Sequence, residues 1–435
     1  ADQRKQRLMS TNWKAAYTAL YKVYAEDAYS NLAINEALRD SDVSSQGFVR
    51  VMSKGVIRDT ILLDYNIDRL AKNGIKRIKK KNLIILRMGM YAMAKMDSVP
   101  NYAAVNEAVT LAENISPAVK GFINGMLRTF EREGAILLVP DSEDILESLS
   151  YKYSFPYHLV RFISKQYGEE TIEEILKGLY EIPELNIRVN SLICNREDLK
   201  KCLSTRDIKV RDNPFSRNGI IIENGSIINI PEFRSGMFTV QSTSSLRSVE
   251  MLSPKSGDKV LDICAAPGGK TTAMAELMNN TGEIFACDIH EHRVKLINEL
   301  SKRLGISCIN TKVMDATLYD KSLSERFDKV LADVPCSGLG VIAGKPELKL
   351  HVNLNELPDL YEIQYSILKN AFMYLKPGGE LVYSTCTINK RENEQIVSRL
   401  CNSFENSSIV EYNSILPYNK QVGFYYCKIS KCNNL

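Results

Sequence analysis

Apolar residues recur three and four apart through the first third of the chain: Tyr17, Leu20, Val23 and Tyr24; Ile57, Ile61, Leu62 and Tyr65; Ala104, Val105, Ala108, Leu111 and Ala112. One such stripe is what a helix needs to bury a single face, so residues 10–135 are predicted to be helical throughout. Gly55, Gly74, Pro100 and Pro117 are read as the breaks between helices. A linker around Leu138-Val-Pro-Asp-Ser-Glu leads to further helical segments, including an aromatic-rich stretch through Tyr157, Val160, Arg161 and Tyr167 that ends near Gly168. From Pro183 the texture changes to short β-like runs, Asn186–Asn190, Gly219-Ile-Ile-Ile and Ser226-Ile-Ile-Asn-Ile, with a charged helix from Arg196 to Leu203.

From about residue 250, strand-like and helix-like runs alternate: Val260–Ile263, a helix from Thr271, Ile284–Asp288, a helix from His290, Lys312–Met314, Lys329–Val334, a helix across Asp359–Leu375, and Glu380–Thr385. Such alternation predicts a doubly wound α/β sheet. The chain therefore divides into an all-α domain (1–140), a helical linker with a small α+β subdomain (141–240) and a C-terminal α/β Rossmann-like domain (241–435).

Composition bears this out. A chain of 435 residues with 44% hydrophobic content can bury more than one core. No apolar stretch approaches the roughly 18 residues of a membrane span, and the opening Ala1-Asp-Gln-Arg-Lys-Gln-Arg lacks the apolar core of a secretory signal. A cytoplasmic protein without membrane contact is expected. Ten cysteines are scattered without a disulfide-like spacing or a Cys-x-x-Cys pair, so no metal site is expected and most are read as reduced thiols. Residues 1–140 hold 21 Lys and Arg against 14 Asp and Glu, although the whole chain is only +4. The run Lys76-Arg77-Ile-Lys79-Lys80-Lys81 is the densest part of that surplus, suited to phosphates and equally to a solvated helix end.

Chemistry concentrates at the predicted strand ends. The first strand runs into Cys264-Ala265-Ala266-Pro267-Gly268-Gly269-Lys270, a turn whose glycines admit close backbone approach and whose following helix start offers free N–H groups. Asp288 ends the next strand, where a carboxylate can accept both hydroxyls of a ribose. The Gly-x-Gly-x-x-Gly pattern is absent, so a ligand with a ribose and no pyrophosphate fits better, and S-adenosyl-L-methionine is such a ligand. Asp315, after the following strand, is placed to receive an adenine amino group. Each of these aspartates could serve instead as a helix N-cap, but with Asp333 they form a series in register.

Cys336, in Asp333-Val-Pro-Cys-Ser-Gly, and Cys386, in Tyr383-Ser-Thr-Cys-Thr, each end a predicted buried strand. A pyrimidine C5 carbon is too weakly nucleophilic to take a methyl group from a sulfonium directly; a thiolate must first add to C6. Asp333, carrying a proton, would assist by hydrogen bonding N3. A second thiol suits the elimination that follows. Either cysteine read alone is a small buried hydrophobe.

Asp262-Ile-Cys-Ala-Ala-Pro-Gly-Gly-Lys-Thr-Thr, Ala332-Asp-Val-Pro-Cys-Ser-Gly-Leu-Gly and Tyr383-Ser-Thr-Cys-Thr-Ile-Asn-Lys-Arg-Glu-Asn-Glu together resemble the RNA cytosine-C5 methyltransferases over roughly residues 145–430. That resemblance implies Cys386 as nucleophile and Cys336 as promoter of product release. DNA cytosine methyltransferases use the Pro-Cys thiol as nucleophile, so the opposite assignment is the natural rival. It also implies a cofactor site of Cys264 to Lys270, Asp288, Asp315 and Asp333, with Cys264 a packing residue and Lys270 either ordering the turn or meeting a phosphate.

Leu86-Arg87-Met-Gly-Met-Tyr91, Val105-Asn-Glu-Ala-Val109 and Phe122-Ile-Asn-Gly-Met-Leu-Arg128 are similar to the NusB-type RNA-binding fold. The combination resembles bacterial 16S ribosomal RNA cytosine methyltransferases, which implies 16S-type ribosomal RNA as partner, with the target base unpaired or flipped out. A transfer-RNA methyltransferase of the same chemistry and a non-catalytic RNA-binding factor are the alternatives. A monomer is expected. Two departures bear on the substrate. Ser242 stands where the family commonly has an acidic residue, and Ala343-Gly344-Lys345-Pro-Glu-Leu-Lys-Leu350 replaces a segment that often carries Arg-Arg and Trp, with Lys345 and Lys349 keeping positive charge there.

Overall fold

The computed structural model describes residues 10–227 and 230–433. The chain forms two compact units: one runs up to Tyr180 and also takes in Ile342–Val352, and the other comprises the remainder.

The first unit is helical. Seven α-helices, Thr11–Ala25, Ser30–Arg39, Gln46–Arg58, Thr60–Leu70, Lys80–Lys95, Asn101–Ile115 and Lys120–Arg132, precede three more, Ile145–Lys152, Tyr157–Tyr167 and Glu169–Tyr180. The stripes read from the sequence are what the core is made of: Leu20, Val23, Ile57, Val105, Ala108 and Leu111 are all buried in one cluster. Gly74 lies at φ +74° in the turn before Ile75–Arg77, and Pro100 and Pro117 stand at helix starts, as expected. Gly55 is different. It sits inside the helix Gln46–Arg58, and a Cβ there would lie 2.0 Å from the Tyr91 hydroxyl. It is glycine because another helix packs against it, whereas the actual break falls at Asp59 between two consecutive helices.

Ile342–Val352 is held to this unit by polar contacts. Ser30 N donates to Glu347 at 3.1 Å, Lys54 Nζ donates to Gly344 O at 3.2 Å, and Lys349 Nζ donates to Arg58 O. Lys349 is therefore not the surface charge expected from the sequence; it is 1% exposed, over the ring of Phe155. Lys345 is exposed.

The second unit contains two sheets. The smaller is antiparallel: β1 (Leu185–Val189), β2 (Lys209–Asp212), β3 (Gly219–Asn224) and β4 (Phe238–Val240), in the order β2-β3-β1-β4. Its charged helix is Arg196–Ser204. The expected strand Ser226–Ile230 is absent at its described positions, and Ile228 and Asn229 lie outside the described residues. Strand β2, rich in charge, was not foreseen.

The larger sheet has β5 (Lys259–Asp262), β6 (Glu283–Asp288), β7 (Ile309–Val313), β8 (Phe327–Asp333), β9 (Leu375–Thr385), β10 (Ser407–Ile415) and β11 (Phe424–Lys431), ordered β10-β11-β9-β8-β5-β6-β7. The five strands read from the alternation are parallel, and β11 and β10 extend them antiparallel, so the sheet is mixed. Successive residues of each strand face opposite layers. Leu261, Val330, Leu381 and Tyr425 pack against the helices Leu357–Tyr374 and Glu394–Ser403. Their neighbours Val260, Leu331, Val382 and Tyr426 pack on the other face with Val249, Met274 and Leu304. Two buried faces explain the continuous apolar runs that marked these strands. Among the described residues, no helix is long and apolar enough to cross a membrane.

Candidate active site

β8 and β9 are parallel neighbours in register, Asp333 opposite Ser384, so the segments leaving their carboxyl ends run side by side. Cys336 and Cys386 lie on those segments, and their sulfurs are 3.3 Å apart. Neither is in a disulfide, and both are partly exposed. The contact with Cys386, followed by burial, holds the Cys336 thiol well above its ordinary pKa. The backbone locks the pair: Val334 N donates to Ser384 O at 3.2 Å, and Gly340 N donates to Cys386 O at 3.0 Å. A Cβ on Gly340 would lie 2.1 Å from the Gly423 carbonyl and 2.9 Å from that of Cys386, which requires glycine there.

On the same sheet edge, β5 and β6 carry the cofactor turn. Ala265 N donates to Cys287 O at 2.7 Å, Gly268 N to Ala265 O at 2.8 Å, and Ala266 N to Asp288 Oδ2 at 3.3 Å. Pro267 is the exposed tip of the turn. Gly268 lies at φ +102° with the helix Glu291–Leu304 behind it, and a Cβ on Gly269 would meet nothing nearer than 3.9 Å. The turn thus packs on one side and is open to approach on the other. Cys264 joins the core as a packing residue, with burial raising its thiol well above the ordinary value.

Asp288 is nearly buried, accepts from His290 N at 3.2 Å and faces Arg293 at 3.4 Å. Asp315 lies two residues past the end of β7 and accepts from Thr317 N and Oγ1 through Oδ1; Oδ2 has no hydrogen bond among the described residues. Lys270 pairs with Asp333, Nζ to Oδ2 at 2.6 Å, and Ser384 donates to Asp333 Oδ1 at 2.8 Å. Both Asp333 oxygens are therefore engaged within the protein, one by Lys270 and the other by Ser384. Lys270 is thus paired with Asp333 and ties the turn to the end of β8.

The donor set fits S-adenosyl-L-methionine. Carboxylates at the ends of β6 and β7 suit the hydroxyls of a ribose and an exocyclic amine. No cation of the turn is left for a pyrophosphate, because Lys270 is engaged. Asp262 Oδ1 is buried without a partner beneath the same turn, and burial lifts that carboxyl to about 7.

Several residues around the site escaped the sequence reading. Arg188, at an inward position of β1, is 2% exposed and reaches the cofactor turn from below. It donates to Gly269 O at 2.6 Å, to Thr272 Oγ1 at 2.9 Å and to Glu276 at 2.8 Å, and also to Gln241. A charged residue at an inward position among apolar neighbours was the available signal. Ser242, one of the two departures, N-caps the helix Thr243–Leu252 by accepting from Ser245 N. The basic run Lys76–Lys81 lies in the first unit, where Lys72, Arg77 and Lys79 border a cavity of about 720 Å³ floored by Ile78, Val119 and Met126. Among the described residues, no cluster could hold a metal ion.

Known families match in the same order along the chain: the NusB family over residues 11–132, an RsmF/B-like ferredoxin-like domain over 155–229, and "16S rRNA methyltransferase RsmB/F" over 249–429. The crystal structure of PH0851 superposes with a TM-score of 0.84 at 26% identity, covering 97% of this chain and 98% of that one. The Proteus mirabilis protein named ribosomal RNA small subunit methyltransferase B is 30% identical over 421 residues, 96% of this chain and 97% of its own. A Bacillus subtilis protein named probable ribosomal RNA small subunit methyltransferase B is 35% identical over 389 residues, 88% of this chain and 86% of its own. With relatives this similar along nearly its whole length, the chain belongs to the 16S rRNA methyltransferase RsmB/F family.

Proposed function

We propose that the protein methylates C5 of a specific cytosine in 16S ribosomal RNA, using S-adenosyl-L-methionine, through a covalent bond between Cys386 and C6. The observation that carries this reading is the 3.3 Å contact between the Cys336 and Cys386 sulfurs at the ends of neighbouring strands. A lone structural cysteine needs no such partner; a reaction that must both add and expel a sulfur has use for one.

The Cys386 sulfur adds to C6, forming the S–C6 bond and giving C5 enamine character. S-Adenosyl-L-methionine, when bound, supplies the electrophilic methyl group. Cys264 to Lys270, Asp288, Asp315 and Asp333 are the residues that would hold it. The C5 proton then leaves to the surrounding water and the S–C6 bond breaks, restoring the ring. The Cys336 thiol, hydrogen bonded to the departing sulfur, stabilises it as a thiolate and so promotes release of the product.

The compact units divide at Tyr180 and not at the expected residues 140 and 240, and the basic surplus of residues 1–140, within the first unit, supports contact with RNA phosphates. Action on ribosomal RNA supports a cytoplasmic location.

The test uses the full chain with small-subunit RNA and with total RNA, the methylated cytosine being mapped by bisulfite sequencing. Cys386→Ser should abolish methylation. Cys336→Ala should accumulate a protein–RNA adduct that survives denaturing electrophoresis. An adduct formed by Cys386→Ser and lost in Cys336→Ala reverses the two roles. Methylation confined to transfer RNA moves the substrate, and tight RNA binding without any methyl transfer sinks the enzymatic reading.

A further inference from the structure

An acidic side chain that the mechanism above does not use is hydrogen bonded to the residue after each of the two cysteines. Glu392 is fully buried, and five donors lie within hydrogen-bonding distance of its carboxylate. Oε2 accepts from Ser337 N at 2.8 Å and from Gln364 Nε2 at 2.9 Å. Oε1 accepts from Ser337 Oγ and from Asn389 Nδ2 at 2.9 Å, with Thr387 Oγ1 at 3.3 Å. Ser337 follows Cys336, and Thr387 follows Cys386. Gln364 donates to Pro335 O as well, at 2.9 Å, so both chain neighbours of Cys336 are gripped.

Three of these partners, Ser337 N, Gln364 Nε2 and Asn389 Nδ2, can only donate, and the Ser337 and Thr387 hydroxyls, themselves 2.8 Å apart, complete the shell around the carboxyl group. Among the described residues no lysine or arginine pairs with it, so hydrogen bonds alone offset its desolvation. Tyr383 donates from its hydroxyl to Glu392 O at 2.6 Å, and Asn393 bridges Thr385 Oγ1 and Thr387 O on either side of Cys386.

We propose that Glu392 is a positioning residue for the two-thiol reaction, fixing the Cys336 sulfur against that of Cys386 and, by its negative charge, disfavouring a second negative charge at Cys336. Its charge adds to the effect of the sulfur contact and burial in keeping the proton on Cys336. Cys386 is thereby left as the sulfur that attacks and leaves. This inference rests on the assignment of the two cysteines proposed above.

The test compares wild type with Glu392→Gln, Glu392→Asp and Ser337→Ala in the full chain. Methyl transfer to small-subunit RNA gives kcat and KM, and alkylation by iodoacetamide in a Cys386→Ser background reports the protonation of Cys336. Glu392→Gln should lower kcat by about a hundredfold with KM within about threefold. It should also move the Cys336 alkylation profile down by about one pH unit. Glu392→Asp keeps the charge on a shorter arm and should lower kcat without moving that profile. Ser337→Ala should lower kcat about tenfold, which keeps the idea testable if Glu392→Gln fails to fold.

An unmoved alkylation profile in folded Glu392→Gln, or an unchanged kcat in Ser337→Ala, overturns the proposal. Methylation that persists in Cys386→Ser itself would instead overturn the assignment of the cysteines, a result separable from either of these.

Discussion

Lys270 and Asp333 are joined by a 2.6 Å ion pair that ties the cofactor turn after β5 to the end of β8, three residues before Cys336. The pair is partly shielded, with 12% of the lysine side chain and 30% of the aspartate side chain exposed. Its main consequence is geometric: the pair ties the turn after β5 to the strand that leads to Cys336.

Lys270→Met should therefore act on catalysis more than on folding. Stability should fall by only about 1 kcal/mol, given the exposure of the pair, while kcat/KM should fall by roughly ten- to a hundredfold. Thermal denaturation and steady-state methyl transfer measure the two. A stability loss with unaltered kinetics would mean that the ion pair does not couple the turn to the strand.

Arg188 holds the underside of the cofactor turn and pairs with Glu276, both side chains being 2% exposed. Arg188→Met should cost about 3–5 kcal/mol, because it leaves a buried carboxylate without its cation. The cost has a pH sign. Burial already raises the Glu276 carboxyl to about 7, and losing Arg188 raises it further. Such a group loses stability as pH rises from its unfolded value through its folded one. The variant should thus be more impaired at pH 8 than at pH 5. Glu276→Leu added to Arg188→Met should recover most of the loss. Chemical denaturation at both pH values checks this, and an equal penalty at each would show that the carboxylate is not its source.

Lys349 supplies a pH prediction for the first unit. Burial lowers it from the ordinary 10.5 to about 7, Asp59 opposing the shift and Arg58 reinforcing it. Below about 7 it is charged in both folded and unfolded chains, and above 10.5 neutral in both. Between these limits the unfolded chain holds a proton that the folded chain has released, so stability rises with pH. Lys349→Met should flatten that rise and raise the unfolding temperature at pH 7. Thermal melts of both proteins from pH 7 to pH 10 test it, and parallel curves would refute it.

The helical stripes, the five parallel strands and the three motif loops were legible in the sequence because each depends on local periodicity or on a short contiguous pattern. The antiparallel pair β10 and β11 was not: Ser407–Ile415 is largely exposed at a sheet edge, and its alternation is weak. Gly55 misled for a related reason. A glycine inside a helix and one that ends a helix look alike until a neighbour such as Tyr91 is in place.

By itself the sequence determined which residues are the candidates for chemistry, because Cys336, Cys386, Asp288 and the turn Cys264–Lys270 sit in motifs whose residue types answer a definite reaction. Only the tertiary structure decided how they are paired. Lys270 is spent on Asp333, Cys336 touches Cys386, Glu392 grips both thiol loops from within, and Lys349 turns inward. Each of these is a contact between residues at least five positions apart, and most are separated by fifty or more. Burial and hydrogen-bond satisfaction, which set such contacts, are properties of the packed chain and leave no periodic trace along it.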